Sequence, residues 1–478
     1  MDDKNFVKDL TKMDDNFTDW YTDVILKSEL VDYAPVKGFM VIRPYGYALW
    51  ENIQKVLDQK FKETGHKNAY FPLLIPESLL NKEKEHVAGF APEVAWVTHG
   101  GDNELQERLC IRPTSETIIC TMYAKWIKSH RDLPLLINQW ANVVRWEKTT
   151  RPFLRTSEFL WQEGHTLHST PEEGLEETLR MHKVYADFCE QYLAMPVIKG
   201  VKSAKERFAG ADSTYTIEAL MHDGKALQSG TSHYLGTHFS KAFDIKFQNK
   251  AGKEEYAYQT SWGMSTRVIG GIIMTHGDDR GLKLPPNIAP IQVVIVPIAQ
   301  HKAGVLEKVA ELKTILSKKY SVELDDREEY SPGYKFNHWE LRGVPVRIEI
   351  GPKDIENNQC IIFRRDTLEK QTISLDNLEE HIEKLLVDIQ DNMFKMAKEN
   401  TENHTFEARS LEEYLDIFKT KQGFVKMMWC GDVECEDKIK ELTASTIRCI
   451  PFEEEQLDTK CAICGKDSKH MVYTARQY

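Results

Sequence analysis

No apolar run in this sequence approaches ~20 residues, the length that a membrane-spanning helix requires. The first residues, MDDKNFVKDL, lack the basic stretch and the apolar core of a secretory signal. Excess positive charge is also missing, since the formal net charge is −12 at pH 7. A protein that coats DNA irrespective of sequence needs a dominant basic surface. We therefore expect a cytoplasmic protein with no membrane or DNA partner, although a local basic surface would still suit a folded RNA.

Length and composition indicate an ordinary globular protein of several domains. The chain has 478 residues, of which 41% are hydrophobic and 28% charged. At one domain per ~150 residues, about three domains are expected. Residues 1–34 alternate acidic and aromatic residues and predict an amphipathic helix.

Residues 145–165, RWEKTTRPFLRTSEFLWQEGH, concentrate charged and aromatic side chains. Two apolar-aromatic runs, NQWANVVRW and SEFLWQ, flank a polar loop with one proline, which predicts two strands joined by a turn. Such a hairpin could place several charges over one cleft. By periodicity alone, a solvated sheet face with a buried underside is an equally good interpretation.

The spacing within this hairpin resembles motif 2 of the class II aminoacyl-tRNA synthetases, and the whole phrase with WQEGH most closely resembles the prolyl-tRNA synthetases. The resemblance implies that Arg145 holds the α-phosphate of ATP and the carboxylate of the amino acid. It implies further ATP contacts for Glu147, Arg155 and Phe159. Trp161 and His165 would shape the pocket for the proline ring.

The phrase RPTSE, residues 112–116, joins a predicted strand to a predicted helix. Thr or Ser followed by Glu at a helix start is also the pattern of an ordinary cap. The phrase resembles the loop that binds the substrate amino group in prolyl and related synthetases. Under that resemblance Thr114 and Glu116 orient the amine, and Glu116 accepts a charge-assisted hydrogen bond from it.

The phrases SAKERFAGADSTYTIEAL and KALQSGTSHYLGTHFSKAFDIKF indicate successive strands with glycine turns. Residues 228–233, QSGTSH, combine small residues with hydroxyls, as close approach to a nucleotide requires, although a lone histidine is often a satisfied core residue. The segment resembles the family's GTSH segment. This implies that Gln228 and Thr231 face ATP and that His233 lines the proline pocket.

Residues 259–286, QTSWGMSTRVIGGIIMTHGDDRGLKLPP, resemble motif 3, a strand followed by a helix entered at an arginine. The resemblance implies that this arginine, Arg267, meets the γ-phosphate. An arginine on a buried helix needs a partner, and a phosphate is a suitable one. Residues 44–76 predict a helix and then an edge strand interrupted by Pro72, either an ordinary pair or the family's motif 1. Motif 1 builds the dimer interface in that family, so a homodimer is expected.

After LPPNIAP, alternating strands and helices predict a small α/β domain with a partly parallel sheet. Its phrase ELRGVPVRIEIGPKD resembles the anticodon-binding domain of prolyl-tRNA synthetases and their close relatives. The candidates for reading anticodon bases are Glu340, Arg347 and Lys353.

The last eighty residues contain two close cysteine pairs, Cys430-x4-Cys435 and Cys461-x2-Cys464, separated by 25 residues. Two such pairs suit tetrahedral thiolate coordination of structural zinc, whereas disulfides are disfavoured in the cytosol. Cys449 lies between the pairs and is not expected to bind the metal. The module resembles the zinc-binding C-terminal extension of the archaeal and eukaryotic form, in which a terminal tyrosine, here Tyr478, reaches toward the active site.

The expected fold is therefore a multidomain α/β and α+β protein: an antiparallel-sheet catalytic domain (residues 1–286), an α/β anticodon-binding domain (287–398) and a small α/β zinc-binding domain (399–478). The expected reaction uses ATP with Mg²⁺ to activate proline and transfers it to tRNA(Pro). Only about a hundred residues separate the WQEGH phrase from motif 3, so no editing domain is expected. A synthetase for threonine, histidine or glycine is one alternative. A non-catalytic paralogue is another, disfavoured because both motif arginines are present.

Overall fold

The structure, a computed structural model, describes residues 10–86 and 93–478. The helices of its first part are α1 (Phe17–Lys27), α2 (Pro44–Glu63), α3 (Glu77–His86), α4 (Glu116–Trp126), α5 (Pro171–Gln191), α6 (His238–Phe243) and α7 (Arg267–His276). The strands of the same part are β1 (Val31–Tyr33), β2 (Met40–Ile42), β3 (Lys67–Asn68), β4 (Leu74–Pro76), β5 (Trp96–Gly100), β6 (Asn103–Ile111), β7 (Leu135–Val144), β8 (Glu158–His168), β9 (Ile198–Val201), β10 (Ser213–Leu220), β11 (Ala226–Gly236), β12 (Lys246–Gln248), β13 (Glu254–Tyr256) and β14 (Tyr258–Ser265).

The middle part of the chain forms a separate five-stranded sheet with helices against it. Its elements are β15 (Val293–Pro297), α8 (Val305–Leu316), β16 (Val322–Leu324), α9 (Pro332–Leu341), β17 (Val346–Ile350), α10 (Pro352–Glu356), β18 (Gln359–Arg364), β19 (Lys370–Ser374) and α11 (Leu378–Asn403). The strand order is β16-β15-β17-β18-β19, with β15 parallel to both of its neighbours and the remaining pairs antiparallel. Every residue of β15 is buried, as its uninterrupted apolar sequence predicts. The predicted partly parallel α/β domain is confirmed.

The last part of the chain does not form a sheet of its own. Its elements are β20 (Thr405–Ala408), α12 (Leu411–Thr420), β21 (Phe424–Trp429), α13 (Val433–Thr443), β22 (Thr446–Pro451) and β23 (His470–Ala475). These strands continue the sheet of the first part, giving one eleven-stranded sheet in the order β20-β21-β23-β22-β9-β10-β11-β14-β8-β7-β3.

The join between the two parts is the antiparallel pair β9–β22, in which Pro451 lies opposite Gly200. Gly200 is required there because a Cβ at this position would lie 2.3 Å from the carbonyl oxygen of Ile450. The predicted domain limits at residues 286 and 398 stay predictions, but the second of them does not coincide with a break in the sheet.

The central strands β9, β10, β11, β14, β8 and β7 are antiparallel throughout. One face of this sheet packs on α2, α5 and α7 around a core that includes Trp50, Phe61, Tyr185, Trp262 and Ile272. Helix α5 begins at Pro171, where the hydroxyl of Thr170 accepts a hydrogen bond from the backbone N–H of Glu173 at 3.2 Å.

Three local predictions need correction. The helix expected within residues 1–34 is the shorter α1, and residues 1–9 lie outside the described residues. Residues 67–76 form not one strand but β3 at the edge of the large sheet and β4 in a different sheet, because Pro72 cannot continue a ladder. Residues 238–243 are helix α6, although their context suggested a strand.

Candidate active site

The strand register places the predicted site residues on one face of the central sheet. On β8, Trp161, Glu163 and His165 alternate with residues that face the helices. Ser261, Gly263 and Ser265 of β14 lie opposite them. The same row continues across β11 and β10, where the opposed pairs are His233 with Thr214, Thr231 with Thr216, and Gln228 with Glu218. Residues distant in sequence therefore converge because directly opposed residues in a sheet point to the same side.

This row forms the floor of a cavity of about 300 Å³. Most of the predicted proline and ATP residues line it: Thr114, Glu116, Arg145, Phe159, Trp161, His165, Gln228, Thr231, His233 and Arg267. Gly263 lies at the centre of the floor, and a Cβ built there would be no closer than 3.3 Å to any neighbour. Its missing side chain therefore leaves room for a ligand to lie against the backbone.

The loop before α4 does not use its polar side chains as an ordinary cap. Ser115 precedes the helix without a side-chain capping bond, and its hydroxyl instead donates to Glu163 at 2.5 Å. The Thr114 hydroxyl donates to the Glu116 carboxylate. Both Thr114 and Glu116 are buried at the cavity. The side chains of Thr114 and Ser115 therefore do not cap α4, and the capping interpretation of RPTSE is wrong.

Arg145 follows β7 and is held in place by neutral groups. Its Nε donates to the carbonyl oxygen of Pro113 at 3.0 Å, and its guanidinium carbon lies 5.5 Å from the ring centroids of both Phe159 and Trp161. Burial lowers the pKa of Arg145, and nearby carboxylates partly offset that effect. These contacts orient the guanidinium group of Arg145 but do not pair it with a carboxylate.

Arg267 is the first residue of α7, and its Nε donates to the carbonyl oxygen of Leu154 at 3.1 Å. Burial, together with the positive charges of Arg145 and Arg155, lowers the pKa of Arg267 to about 10. Within the described ranges, no ion pair joins the guanidinium of Arg145 or Arg267 to a carboxylate. Two partly buried cations at one cavity, neither paired with a carboxylate of the described residues, indicate a site for an anion.

Glu163 and His165 form a buried pair beneath the cavity, with a 2.8 Å hydrogen bond between Oε2 and Nε2. Burial alone would lower the pKa of His165, but the hydrogen bond and charge of Glu163 outweigh it and raise the pKa above its usual value. Burial opposes ionisation of Glu163, yet its pKa is lowered by His165, Ser115 and Gln139. His233 differs, since burial and the neighbouring His165 lower its pKa to about 3. The two imidazoles at the cavity therefore differ, because the surroundings favour the charged form of His165 and disfavour that of His233.

Not every predicted site residue lines the cavity. Glu147 and Arg155 form a loose pair, 4.0 Å from Oε2 to Nε, and the Arg155 side chain is 55% exposed. Conversely, the sequence analysis did not select three residues that line the cavity, namely Glu163, Ser261 and Gly263. The two-residue alternation in WQEGH was a signal for Glu163, whereas a serine and a glycine within a strand carry no such signal.

The three candidate anticodon residues differ in exposure. Glu340 and Arg347 are buried and paired at 3.0 Å, and Arg347 also bonds Glu349 and lies 4.1 Å from the ring of Phe336. Lys353 is exposed on α10. Base reading by Glu340 and Arg347 stays a prediction, and it requires this pair to share its hydrogen bonds with a base.

The four C-terminal cysteines come together, with their Sγ atoms all within 4.8 Å of one another. Measured Sγ–Sγ distances are 3.7 Å for Cys430–Cys435, 4.0 Å for Cys435–Cys461 and 3.6 Å for Cys430–Cys464. Zinc–sulfur bonds of ~2.3 Å in a tetrahedron put neighbouring sulfurs ~3.8 Å apart, whereas a disulfide needs ~2.05 Å. The four residues fit a zinc ion. Cys449 is buried in β22, away from this cluster.

Among the helices of the described residues, none has the length and apolar character needed to cross a membrane.

Comparison with protein families matches three consecutive parts of the chain. Residues 96–276 match the tRNA synthetase class II core domain (G, H, P, S and T), residues 292–385 match the anticodon binding domain, and residues 411–478 match the C-terminal domain of prolyl-tRNA synthetase. A crystal structure of prolyl-tRNA synthetase from Cryptosporidium parvum, complexed with halofuginone and AMPPNP, superposes with a TM-score of 0.94 at 45% identity and covers 98% of this chain and 99% of that one.

Curated relatives match over the full length. The proline–tRNA ligase of Alkaliphilus oremlandii (strain OhILAs) is 65% identical over 475 residues, which are 99% of each chain. The proline–tRNA ligase 2 of Clostridioides difficile (strain 630) is 64% identical over 476 residues, again 99% of each chain. Identity of this extent, over a class II core and an anticodon-binding domain, shows that the chain belongs to the prolyl-tRNA synthetases, the class II ligases that join proline to tRNA.

Proposed function

We propose that the cavity above the central sheet binds proline and ATP side by side and is where prolyl-adenylate forms. The observation that carries this assignment is the pair of guanidinium groups, Arg145 and Arg267, which reach one cavity with no carboxylate at contact distance in the described part of the chain. Buried carboxylates, Glu116 and Glu163, line the same cavity. Separate cationic and anionic regions suit an amino acid lying against a polyphosphate.

The proline region comprises the RPTSE loop and the end of β8. The carboxylate of Glu116, steadied by the Thr114 hydroxyl, accepts a hydrogen bond from the secondary ammonium of proline. Trp161, His165 and His233 enclose the ring. A pocket that excludes a smaller amino acid only through lost ring contacts rejects it by only ~1 to 3 kcal/mol per missing methylene, so alanine is the natural competitor.

The ATP region comprises motifs 2 and 3 with β11. Arg145 binds the α-phosphate and the proline carboxylate, Arg267 binds the γ-phosphate, and Phe159 stacks on the adenine. Gln228 and Thr231 contact the nucleotide from β11. Glu147 and the exposed Arg155, which lie outside the cavity lining, would bind the phosphates and Mg²⁺. AMPPNP is an ATP analogue, and its presence in the Cryptosporidium parvum protein supports a nucleotide site in the shared fold.

Adenylate formation in this site needs no protein nucleophile. A proline carboxylate oxygen bonds to the α-phosphorus of ATP, and the bond from that phosphorus to the bridging oxygen breaks, so pyrophosphate leaves with its electron pair. A terminal ribose hydroxyl of tRNA(Pro) then attacks the prolyl carbonyl and AMP leaves. Both steps depend on alignment and on stabilising charge on oxygen atoms, which is what positioned arginines supply.

The test is proline-dependent ATP–pyrophosphate exchange by Arg145→Ala and Arg267→Ala. Loss of one positioned cation should reduce exchange by about 10²- to 10³-fold. Arg131→Ala is the matched control, because Arg131 is exposed and lies outside the cavity lining. Exchange within a few-fold of wild type for both cavity variants would contradict the assignment.

We also propose structural zinc at the four cysteines, anticodon contacts by Glu340, Arg347 and Lys353, and a homodimer. The spacing of the four sulfur atoms supports the zinc site.

For the dimer, β3 lies at the edge of the large sheet and Tyr70, just after it, is 71% exposed. Light scattering should give a molar mass of twice the 55.3 kDa of one chain, and Tyr70→Glu should lower the measured mass.

A further inference from the structure

A buried carboxylate, Glu218 of β10, lies directly opposite Gln228 of β11. Its side chain has no exposed surface, and two cations hold it. Lys202 Nζ donates to Oε1 at 2.7 Å, while Arg448 donates to Oε2 from both Nε and Nη2, at 3.0 and 2.9 Å. Two donors from one guanidinium fix the orientation of the carboxylate more strictly than a single contact would.

Arg448 belongs to β22, in the C-terminal part of the chain, and its side chain is 2% exposed. Its Nη1 donates to the hydroxyl of Thr446 at 3.0 Å and to the side-chain oxygen of Gln477. The guanidinium is therefore anchored on its own side of the β9–β22 join while it holds a carboxylate two strands away.

Glu218 lies where the register between β10 and β11 shifts, at residues 217 and 218. Such a bulge redirects side chains on the paired strand. The Thr216 hydroxyl also donates to Glu218 Oε1, at 2.9 Å, and Thr216 lies opposite Thr231. The carboxylate of Glu218 is thus hydrogen-bonded to Thr216, and these two β10 residues lie opposite Gln228 and Thr231, respectively.

The buried cluster around Glu218 also affects the ATP region through its electric charge. Two cations and one anion leave the cluster of Lys202, Glu218 and Arg448 with a net positive charge. The charges of Glu218 and Arg448 act on Arg267 in opposite senses, the first raising and the second lowering its pKa. In contrast, His165 of the proline region lies on β8, on the far side of β11 and β14 from this cluster.

We propose that Arg448 is a positioning residue for ATP, which acts through Glu218 to hold the bulge that presents Gln228 and Thr231 to the nucleotide. The C-terminal part of the chain would then contribute to ATP binding without touching ATP. This inference rests on the proposed assignment of Gln228 and Thr231 to the nucleotide.

The test compares Michaelis constants for the two substrates in ATP–pyrophosphate exchange by the full-length chain. Arg448→Ala should raise the KM for ATP by about tenfold, equivalent to about 1.4 kcal/mol, and leave the KM for proline within about twofold. Arg448→Lys should recover part of the loss, because it restores the charge without the two-donor contact. A purely structural ion pair predicts equal effects on both constants or an effect on thermal stability alone.

Matched controls keep the outcome interpretable. Asp437→Ala removes the exposed Lys205–Asp437 ion pair, which also bridges the two parts of the chain, and should leave both constants unchanged. If Arg448→Ala does not fold, the double variant Glu218→Gln with Arg448→Met removes both charges together and should show the same selective rise for ATP. Equal rises for ATP and proline, or no rise for either, would overturn the inference.

Failure of the inference can be separated from failure of the site assignment. Gln228→Ala and Thr231→Ala are measured in the same assay. If neither changes the KM for ATP, the nucleotide assignment itself is wrong. If both raise it and the Arg448 variants do not, only the role of Arg448 is refuted.

Discussion

Replacing Glu163 by glutamine should destabilise the protein to an extent that depends on pH. The carboxylate bonds His165 at 2.8 Å, Ser115 at 2.5 Å and Gln139 at 3.1 Å, and both members of the Glu163–His165 pair are at most 3% exposed. Glutamine keeps the shape and much of the hydrogen bonding. The substitution therefore removes mainly the charge that stabilises the protonated imidazole of His165.

The direction of each pKa shift defines the pH range of the effect. The raised pKa of His165 contributes stability that is complete below the unfolded value of about 6.5 and is lost as pH rises through the folded value. The lowered pKa of Glu163 contributes stability above the unfolded value of about 4.3, which is lost as pH falls through the folded value. The pair thus stabilises the fold most between about pH 4.3 and 6.5. A hydrogen bond to a charged group contributes about 1.5 to 3 kcal/mol to stability, and this is the contribution that the substitution puts at risk.

Thermal unfolding at two pH values measures this contribution. Each kcal/mol changes Tm by about 2 to 4 °C, so Glu163→Gln should melt about 3 °C or more below wild type near pH 5.5. The deficit should become smaller at a pH above the folded pKa of His165, where the imidazole is neutral in both proteins. Glu158→Gln is the matched control on the same strand, because Glu158 accepts a hydrogen bond from Asn142 at 2.8 Å rather than from a histidine. An equal Tm deficit for Glu163→Gln at both pH values would refute the charge-based reasoning.

Three further predictions concern other parts of the molecule. Cys461→Ser should lower the zinc content per chain and the Tm, measured by elemental analysis and calorimetry, whereas Cys449→Ala should retain the metal because Cys449 lies outside the cluster. The purified chain should not deacylate alanyl-tRNA(Pro), because the segment between β8 and β14 is occupied by α5, β9–β11, α6 and the short pair β12–β13; alanine release above the uncatalysed rate would contradict this. Gly164→Ala should cost about 1 to 3 kcal/mol of stability, since its Cβ would lie 2.1 Å from the ring of Trp262, while Gly100→Ala, with a nearest neighbour at 3.4 Å, should be tolerated in the same melting assay.

The parts of the fold that the sequence predicted correctly are those encoded within one contiguous stretch. The hairpin β7–β8 follows from two apolar-aromatic runs around a polar loop, and ten opposed pairs join its strands, from Leu135 with Leu167 to Val144 with Glu158. Helix α7 begins at Arg267, the entry proposed for motif 3. Its apolar sequence, VIGGIIMTH, is almost entirely buried because the helix lies under the sheet.

Local sequence patterns could not predict which strands and side chains pair over long distances in the sequence. Nothing in the phrases around Gly200 or Pro451 specifies that β9 and β22 pair, because the two strands lie far apart in sequence and strand partners are selected by the assembled sheet. The same limit applies to Glu340 and Arg347, because the sequence does not show that these two candidate anticodon residues pair with each other in the interior. It also applies to Glu218, whose cation partner Arg448 comes from another part of the chain.

The continuous eleven-stranded sheet means that the C-terminal family module is not a detachable unit. Deleting residues 411–478 would remove β21–β23, expose the hydrogen-bonding edge of β9 and leave Glu218 with Lys202 as its remaining cation among those described. An open strand edge is a template for intermolecular pairing, so the shortened protein should aggregate rather than persist as a smaller enzyme. The boundary that sequence families draw near residue 411 is therefore a poor place to cut or to fuse this chain.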